Sequence, residues 1–291
     1  MKHEIRYGKA EVRVYRTHAA PLRGVTPVPE SPFTGRENVL MGAAIEVVVH
    51  GEAFLEAYTL GDNSRVVATD TMKNFIQIAA LRCEAPTLEG WLHEIGAAFL
   101  ATYPHMERLT MLGRELPFSP AVVPGEDGFA LSDRLFNRER GDRSTASLDL
   151  ERSDGGIRIT DHACGRAELQ LIKITGSAFA DFARDEHTTL PERPDRPLYI
   201  WTDIGWRYAD PADALGPARY VAGEQVADLA ASVFDEFVSL SIQHLVHEIG
   251  QRMLSRWPQL AEVSFDAQNR LWDTGAVSET DDTVRVYCDP P

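Results

Sequence analysis

Cysteine is scarce. Cys83, Cys164 and Cys288 are the only three in 291 residues. They are odd in number, far apart and form no Cys-x-x-Cys pair, so no disulfide framework or cysteine-based zinc site is written here, and a reduced, cytoplasmic protein is expected. Long apolar runs are missing as well: no stretch reaches the roughly 18 residues that span a bilayer. The N-terminal MKHEIRYGKAEVRVYR is polar and alternating, without the apolar core of a secretory leader. Positive charge is in short supply, with 29 Lys and Arg against 44 Asp and Glu and a net charge of −15. That balance repels nucleic acid and anionic membranes, so neither is expected as a partner. It still allows a small anionic ligand held by one or two local arginines.

Several chemical signatures are absent too. There is no Gly-x-Gly-x-x-Gly and no Gly-x4-Gly-Lys-Ser/Thr to cradle a nucleotide phosphate, and no Gly-x-Ser-x-Gly elbow. Among nine histidines the nearest approach to a metal motif is His244-x-x-His247-Glu248, which is neither HExxH nor HxxEH. It reads as a helix with His on its polar side, and no metal or flavin is expected.

What is present is globular: 44% hydrophobic and 25% charged residues, enough for a sizeable core. An internal repeat stands out. LHEIGAAFLATYP (92–104) and VHEIGQRMLSRWP (246–258) lie 154 residues apart, and each is followed by a strand-like run, MERLTML (106–112) and AEVSFDA (261–267). Leu88, Trp91, Ile95, Phe99 and Tyr103 fall on one helical face, as do Ile242, Leu245, Ile249, Met253 and Trp257, and Pro104 and Pro258 stop the two helices. Helices are also expected over 69–83 and 224–238. Strands precede them at 11–16 and 42–61 in the first half and at 168–179 and 196–208 in the second. Each half thus reads β-β-α-α-β-β. The expected fold is α+β, with two modules (1–150 and 151–291), each an antiparallel four-stranded sheet with two helices on one face. A sheet covered on one side invites closure into a barrel-like homo-oligomer.

Four stretches are more polar than their positions require: YGKAEVRV, ATDTMKN, FADFARDEHTTLPERPDR (179–196) and SIQHLVHEIG. Taken alone, each residue has an ordinary explanation. Lys9 is a solvated strand lysine; Thr69 or Asp70 caps a helix, and Asp70 and Thr71 can cap 71–83 while Thr69 faces a ligand. Phe179 packs in a core, Arg196 pairs with Asp195 or Glu192, and Gln243 caps or sits in solvent.

Taken together, YGK-x-x-VRV, NS-x-VVATDTMKN, F-x-x-F-x-RDE-x-TTL-x-x-x-x-DR and Ile-Gln ahead of the long helix resemble the signature of the urate oxidase family, in order over about residues 5–290. The resemblance implies the tunnelling fold, tandem modules in a homotetramer, and a cofactor-independent oxidase using O2 as co-substrate. It implies a Lys9–Thr69 dyad that takes a proton from the purine, with Asp70 orienting it. Phe179 would stack on the ring, and Arg196 would pair bidentately with a carbonyl and ring nitrogen, a task suited to guanidinium. Gln243 would hold the opposite edge with the Ile242 backbone beside it, and Asn269 would face the oxygen or water site. Lys and Thr would come from one subunit and the rest from its neighbour.

One family feature is missing. Counting without gaps from Gln243, the relay histidine falls on Leu271, and no His follows His247. The expectation is therefore an oxidase of urate or a urate-like purine with an altered product step. The alternatives are an ordinary but slower urate oxidase giving 5-hydroxyisourate and H2O2, or a non-catalytic purine binder. A pterin-type enzyme of the same fold would need Cys or His zinc ligands that are not visible.

Overall fold

Alternation of apolar and polar residues sets most strands. The structure, a computed structural model, describes residues 4–138, 141–270 and 272–288. Strand β1 (Arg6–Thr17) buries Val12 and Val14, and β2 (Leu40–His50) buries Ile45, Val47 and Val49. A short helix α1 (Leu55–Thr59) is followed by α2 (Thr69–Arg82) and α3 (Leu88–Thr102), then by β3 (Arg108–Glu115), β4 (Ser119–Gly125), β5 (Gly128–Asn137) and β6 (Arg143–Ser153). The second half runs β7 (Gly156–Lys173), β8 (Leu198–Tyr208), α4 (Gly223–Glu236), α5 (Ile242–Arg256), β9 (Leu260–Arg270), β10 (Asp273–Val277) and β11 (Arg285–Cys288).

Seven strands form one antiparallel sheet in the order β1-β2-β3-β6-β7-β8-β9. The first half lays four strands into it and the second half three. The hairpins β4–β5 and β10–β11 pair only internally. Helices α2 and α3 pack on the first half, α4 and α5 on the second, all on one face. Their apolar stripes (Met72, Ile76, Trp91, Ile95, Phe99; Val226, Leu229, Leu245, Ile249, Met253) fill two cores. The other face is bare and polar along Glu46, Thr110, Arg114, Thr145 and Ser147, with a groove of about 340 Å³ beside it.

The two halves repeat each other in detail. Gly8-Lys9-Ala10-Glu11 and Gly165-Arg166-Ala167-Glu168 lie 157 residues apart. Both interrupt their strand with a register shift, and Glu11 (φ 55°) and Glu168 (φ 59°) both sit in the left-handed region. Arg16 donates to Ala80 O and Cys83 O at the end of α2; Lys173 donates to Phe234 O and Phe237 O at the end of α4. Thr87 caps α3 through Gly90 N–H, and Ser241 caps α5 through His244 N–H. The leading strands thus repeat at 157 residues, while the helices and β9 repeat at 154.

Where the halves meet, a buried polar cluster joins them. Arg166, 2% exposed, donates through Nε to Asp142 (2.7 Å) and through Nη1 to Ser144 (3.2 Å). Arg36 Nη1 bridges Glu115 (2.5 Å) and Glu224 (3.1 Å). Glu89 lies beside Cys164, Tyr220 and Arg36, with one carboxylate oxygen unpartnered. Burial pushes its pKa from 4.5 up to about 7, and the neighbouring donors and Arg36 only partly offset this. A carboxyl raised on folding stabilises fully below pH 4.5, and that contribution is lost as pH rises through about 7. Glu89→Gln keeps the shape and removes the titration. Unfolding of both proteins at pH 5 and pH 8 should show the wild type losing about 2–3 kcal/mol more than the variant over that interval. Equal losses would mean that Glu89 titrates normally.

Candidate active site

The segment between β7 and β8 is held by backbone and hydroxyl bonds. Phe179 and Arg193 exchange N–H···O bonds (2.8 and 2.9 Å), Arg196 N donates to Ser177 O (2.8 Å), and Ala178 N donates to Ser239 O (2.7 Å). The fully buried Ser239 and Ser177 hydroxyls bond at 3.0 Å, tying this segment to the residues that lead into α5. Arg196 is thereby set 5.4 Å from the centre of the Phe179 ring, and Phe179 stacks on Phe182 at 4.9 Å. Asp195 does not take Arg196 as a partner. Its carboxylate accepts from Gly176 N (2.7 Å) and Thr175 Oγ1 (2.8 Å); burial opposes the charge, but these donors win and hold its pKa below the usual range. Arg196 Nε is buried without a hydrogen-bond partner, and burial, then Arg193, lowers the guanidinium pKa.

Ile242 and Gln243 open α5 just inside its Ser241 cap, with Gln243 exposed. Asn269 stands on β9 opposite Ile200, half-buried, and its Oδ1 has no partner. One orphaned donor and one orphaned acceptor among the expected ligand residues is the pattern left where a ligand or water completes the bonding. Leu271 lies outside the described residues. On either side of it, Arg270 lies 4.7 Å from the Trp201 ring, and Trp272 stacks on Tyr287 at 5.9 Å.

Lys9, Thr69 and Asp70 lie at the other end of the sheet. Gly8 lets β1 approach β2: a Cβ there would stand 2.0 Å from Val47 O, so no other residue fits, and the register shift that follows sets Lys9 at the edge. Thr69 is the first residue of α2 and exposed. The capping expected of Asp70 and Thr71 is not found. The N-cap is Ala68, with no side-chain bond, because the helix starts earlier and leaves both residues inside its first turn. Asp70 instead pairs with Lys73 and accepts from Asn74 (3.1 Å). Lys73 chiefly, with a contribution from Lys9, holds its pKa below the usual range.

Two residues here were not singled out from the sequence. Val67 N donates to Tyr7 Oη (2.9 Å), and His105 Nε2 bonds Arg65 O (2.9 Å). Tyr7 is two residues from Lys9, and Val67 two residues from Thr69, so this bond links the strand of one to the helix start of the other. Tyr7 sits inside the YGK stretch, but its partner is 60 residues away and leaves no local signal.

The two groups do not meet within one chain. β1 and β9 are opposite edges of the sheet, six strand spacings apart, roughly 29 Å.

Comparison with known proteins places this geometry. A profile of the family described as Uricase matches residues 162–290. The uricase of Haloferax volcanii is 48% identical over 289 residues, covering 98% of this chain and 94% of that protein. The uricase of Halalkalicoccus jeotgali is 46% identical over 287 residues, with the same coverage. A uric acid degradation bifunctional protein of Bacillus subtilis is 45% identical over 292 residues, and the match spans 59% of its length. The crystal structure of Bacillus sp. TB-90 urate oxidase superposes with a TM-score of 0.95 at 43% identity, covering 98% of this chain and 95% of that one. With identity this high over nearly its full length, and the tunnelling fold in common, this chain belongs to the uricase, or urate oxidase, family.

Proposed function

We propose that this chain is a cofactor-independent urate oxidase whose working site forms between subunits. The observation that carries this reading is the split of the candidate residues between two free sheet edges, with Arg196 and Asn269 each keeping an orphaned polar atom at one of them. Edge-to-edge association of copies unites the two groups and removes the exposed edges together.

The repeat supplies a template for the docking. Inside the chain, Glu115, 154 residues before Asn269, already faces Arg166, 157 residues after Lys9, and Arg36 joins it to Glu224, 154 residues after Asp70. Repeating that arrangement between chains sets Lys9, Thr69 and Asp70 of one copy against Phe179, Arg196, Gln243 and Asn269 of another.

In that setting Phe179 stacks on the purine plane and Arg196 grips one edge through paired N–H donors, the geometry that planar guanidinium serves best. Gln243 and the Ile242 backbone hold the other edge. The Lys9–Thr69 dyad removes a proton, the anionic ring passes electrons directly to O2, and Asn269 faces the oxygen and later the water. Carried through hydration, that course consumes urate, O2 and water and releases 5-hydroxyisourate and H2O2. The modules span 1–150 and 151–291, and the assembly is a tetramer with the bare sheet face lining its tunnel. No helix is long and apolar enough to cross a membrane, among the described residues.

The finer reading concerns the product step. With Leu271 counted onto the relay position and no His beyond 247, hydration proceeds without an imidazole shuttle and is slowed or redirected. A positioned acid–base group contributes about 10²–10⁴-fold. The retained Lys9 and Thr69 speak against a mere purine binder, which needs no dyad.

Urate incubated with the pure protein, first without and then with O2, should be consumed only aerobically. O2 uptake and product mass then read the last step. Prompt 5-hydroxyisourate with one H2O2 per O2 would sink the altered-product reading, and an unchanged urate spectrum in O2 would sink the oxidase. Lys9→Ala and Arg196→Ala should each be inactive alone. Co-expressed in equal amounts they should recover about a quarter of wild-type activity, because random pairing of subunits leaves that share of sites intact. No recovery would confine the site to one chain. Tyr7→Phe removes the acceptor of Val67 N–H. We expect kcat to fall about tenfold, with KM within twofold and the pH profile unmoved; a fall in stability alone would make the bond merely structural.

A further inference from the structure

The repeat assigns every residue of the candidate site a counterpart in the other half. At an offset of 157, Lys9 corresponds to Arg166, Phe179 to Leu22 and Arg196 to Val39. At 154, Thr69 corresponds to Gly223, Asp70 to Glu224, Gln243 to Glu89 and Asn269 to Glu115. These offsets are anchored by structure. The backbone bridge Leu22–Arg36 matches Phe179–Arg193; the register pairs Lys9–Val47 and Ala44–Arg114 match Arg166–Ile204 and Trp201–Gln268.

These counterparts converge inside one chain. Arg166 Nη1 is 3.9 Å from Glu115 Oε2, and Arg36 joins Glu115 to Glu224. A Cβ on Gly223 would touch Ser144 Oγ at 2.6 Å and Arg166 Cδ at 3.2 Å, so a threonine like Thr69 has no room there. Only the cation of Lys9 and the carboxylate of Asp70 keep their kind, in Arg166 and Glu224. The stacking aromatic is a leucine, the clamping guanidinium a valine, the dyad hydroxyl is gone, and two amides have become carboxylates. Arg36 Nε and one oxygen of Glu89 remain buried without partners, the residue of a polar site that its own side chains satisfy incompletely.

We propose that the junction between the halves is a second copy of the purine site, closed by its own side chains, with Glu115, the counterpart of Asn269, held between Arg36 and Arg166 as the anion of that closed copy. Each chain therefore furnishes one working site, not two. The closed copy serves as the ionic rivet of the halves. This rests on the reading of Phe179 and Arg196 as the purine clamp.

Stoichiometry and cavity rescue test it together. Xanthine, a purine without the 8-oxo group, is titrated calorimetrically into the wild type, Arg196→Ala and Glu115→Gln. We expect one xanthine per chain, none, and one, respectively. In parallel, Glu115→Ala leaves a hole between the buried Arg166 and the half-buried Arg36 guanidiniums; its melting midpoint should drop by roughly 5–15 °C. Sodium acetate should recover at least about half of that loss, where sodium chloride at equal ionic strength does not, because a small carboxylate can refill the anion's place. Two xanthines per wild-type chain, with one lost in Arg196→Ala, would show the junction open and overturn the closed copy alone, whereas binding kept undiminished in Arg196→Ala would overturn the clamp as well. No binding to the wild type, or retention by both variants, would overturn the clamp and the copy together. A Glu115→Ala protein indifferent to acetate would show that no ligand-sized place exists there. If that variant does not fold, the titrations of the wild type, Arg196→Ala and Glu115→Gln decide the matter.

Discussion

The hydrogen-bond ladder from Arg143–Ala167 to Ser153–Gly156 is the constraint on which the rest of the structure depends. It joins β6 to β7 and so fuses two half-sheets into one, fixing which edges stay free. With β1 at one margin and β9 at the other, each half ends the sheet where its share of the proposed site lies. Had the halves paired otherwise, Lys9 and Asn269 could have met within one chain. As it is, backbone geometry keeps them apart.

Around that ladder, electrostatics divides the molecule into a part that binds itself and a part left wanting. At the junction, burial works against every charge, yet Glu115 is held below its usual pKa because Arg36 and Arg166 outweigh the desolvation. Glu89, with weaker compensation, is pushed the other way. At the β8–β9 end no carboxylate among the described residues pairs with Arg196: Asp195, its chain neighbour, accepts from Gly176 and Thr175 instead. A guanidinium with a free buried N–H beside an aromatic face is poised for a flat anion. At the junction the guanidiniums of Arg36 and Arg166 already hold carboxylates, although Arg36 Nε keeps no partner.

Much of this was legible in the sequence. Helices α3 and α5 announce themselves by apolar spacing and a shared HEIG, and both end where Pro104 and Pro258 require. The second copy of Gly-Lys/Arg-Ala-Glu stands in the same letters, yet no single period reveals it. A three-residue change of offset, from 157 to 154, falls between the leading strands and the helices and breaks any single-period comparison. Asp70 was misassigned as a cap because helix starts are uncertain by a residue or two, and here one residue decides whether a carboxylate caps or pairs with Lys73. The Tyr7–Val67 bond and the two-edge separation are long-range facts, set by pairing order and not by neighbours in the chain. The second half was expected to carry four strands but lays only three into the main sheet; β10 and β11 satisfy each other instead.

The free edges have a consequence in mass action. If the proton-abstracting pair and the substrate clamp sit on different molecules, as proposed, activity falls on dilution with the fraction of subunits still associated. Well below the dissociation constant of the subunits, turnover on that reading tends to zero. Specific activity then reports on assembly before it reports on catalysis. A substrate that bridges the two edges is bound by both partners at once and holds them together, so urate would act for this protein as an association factor as well as a reactant.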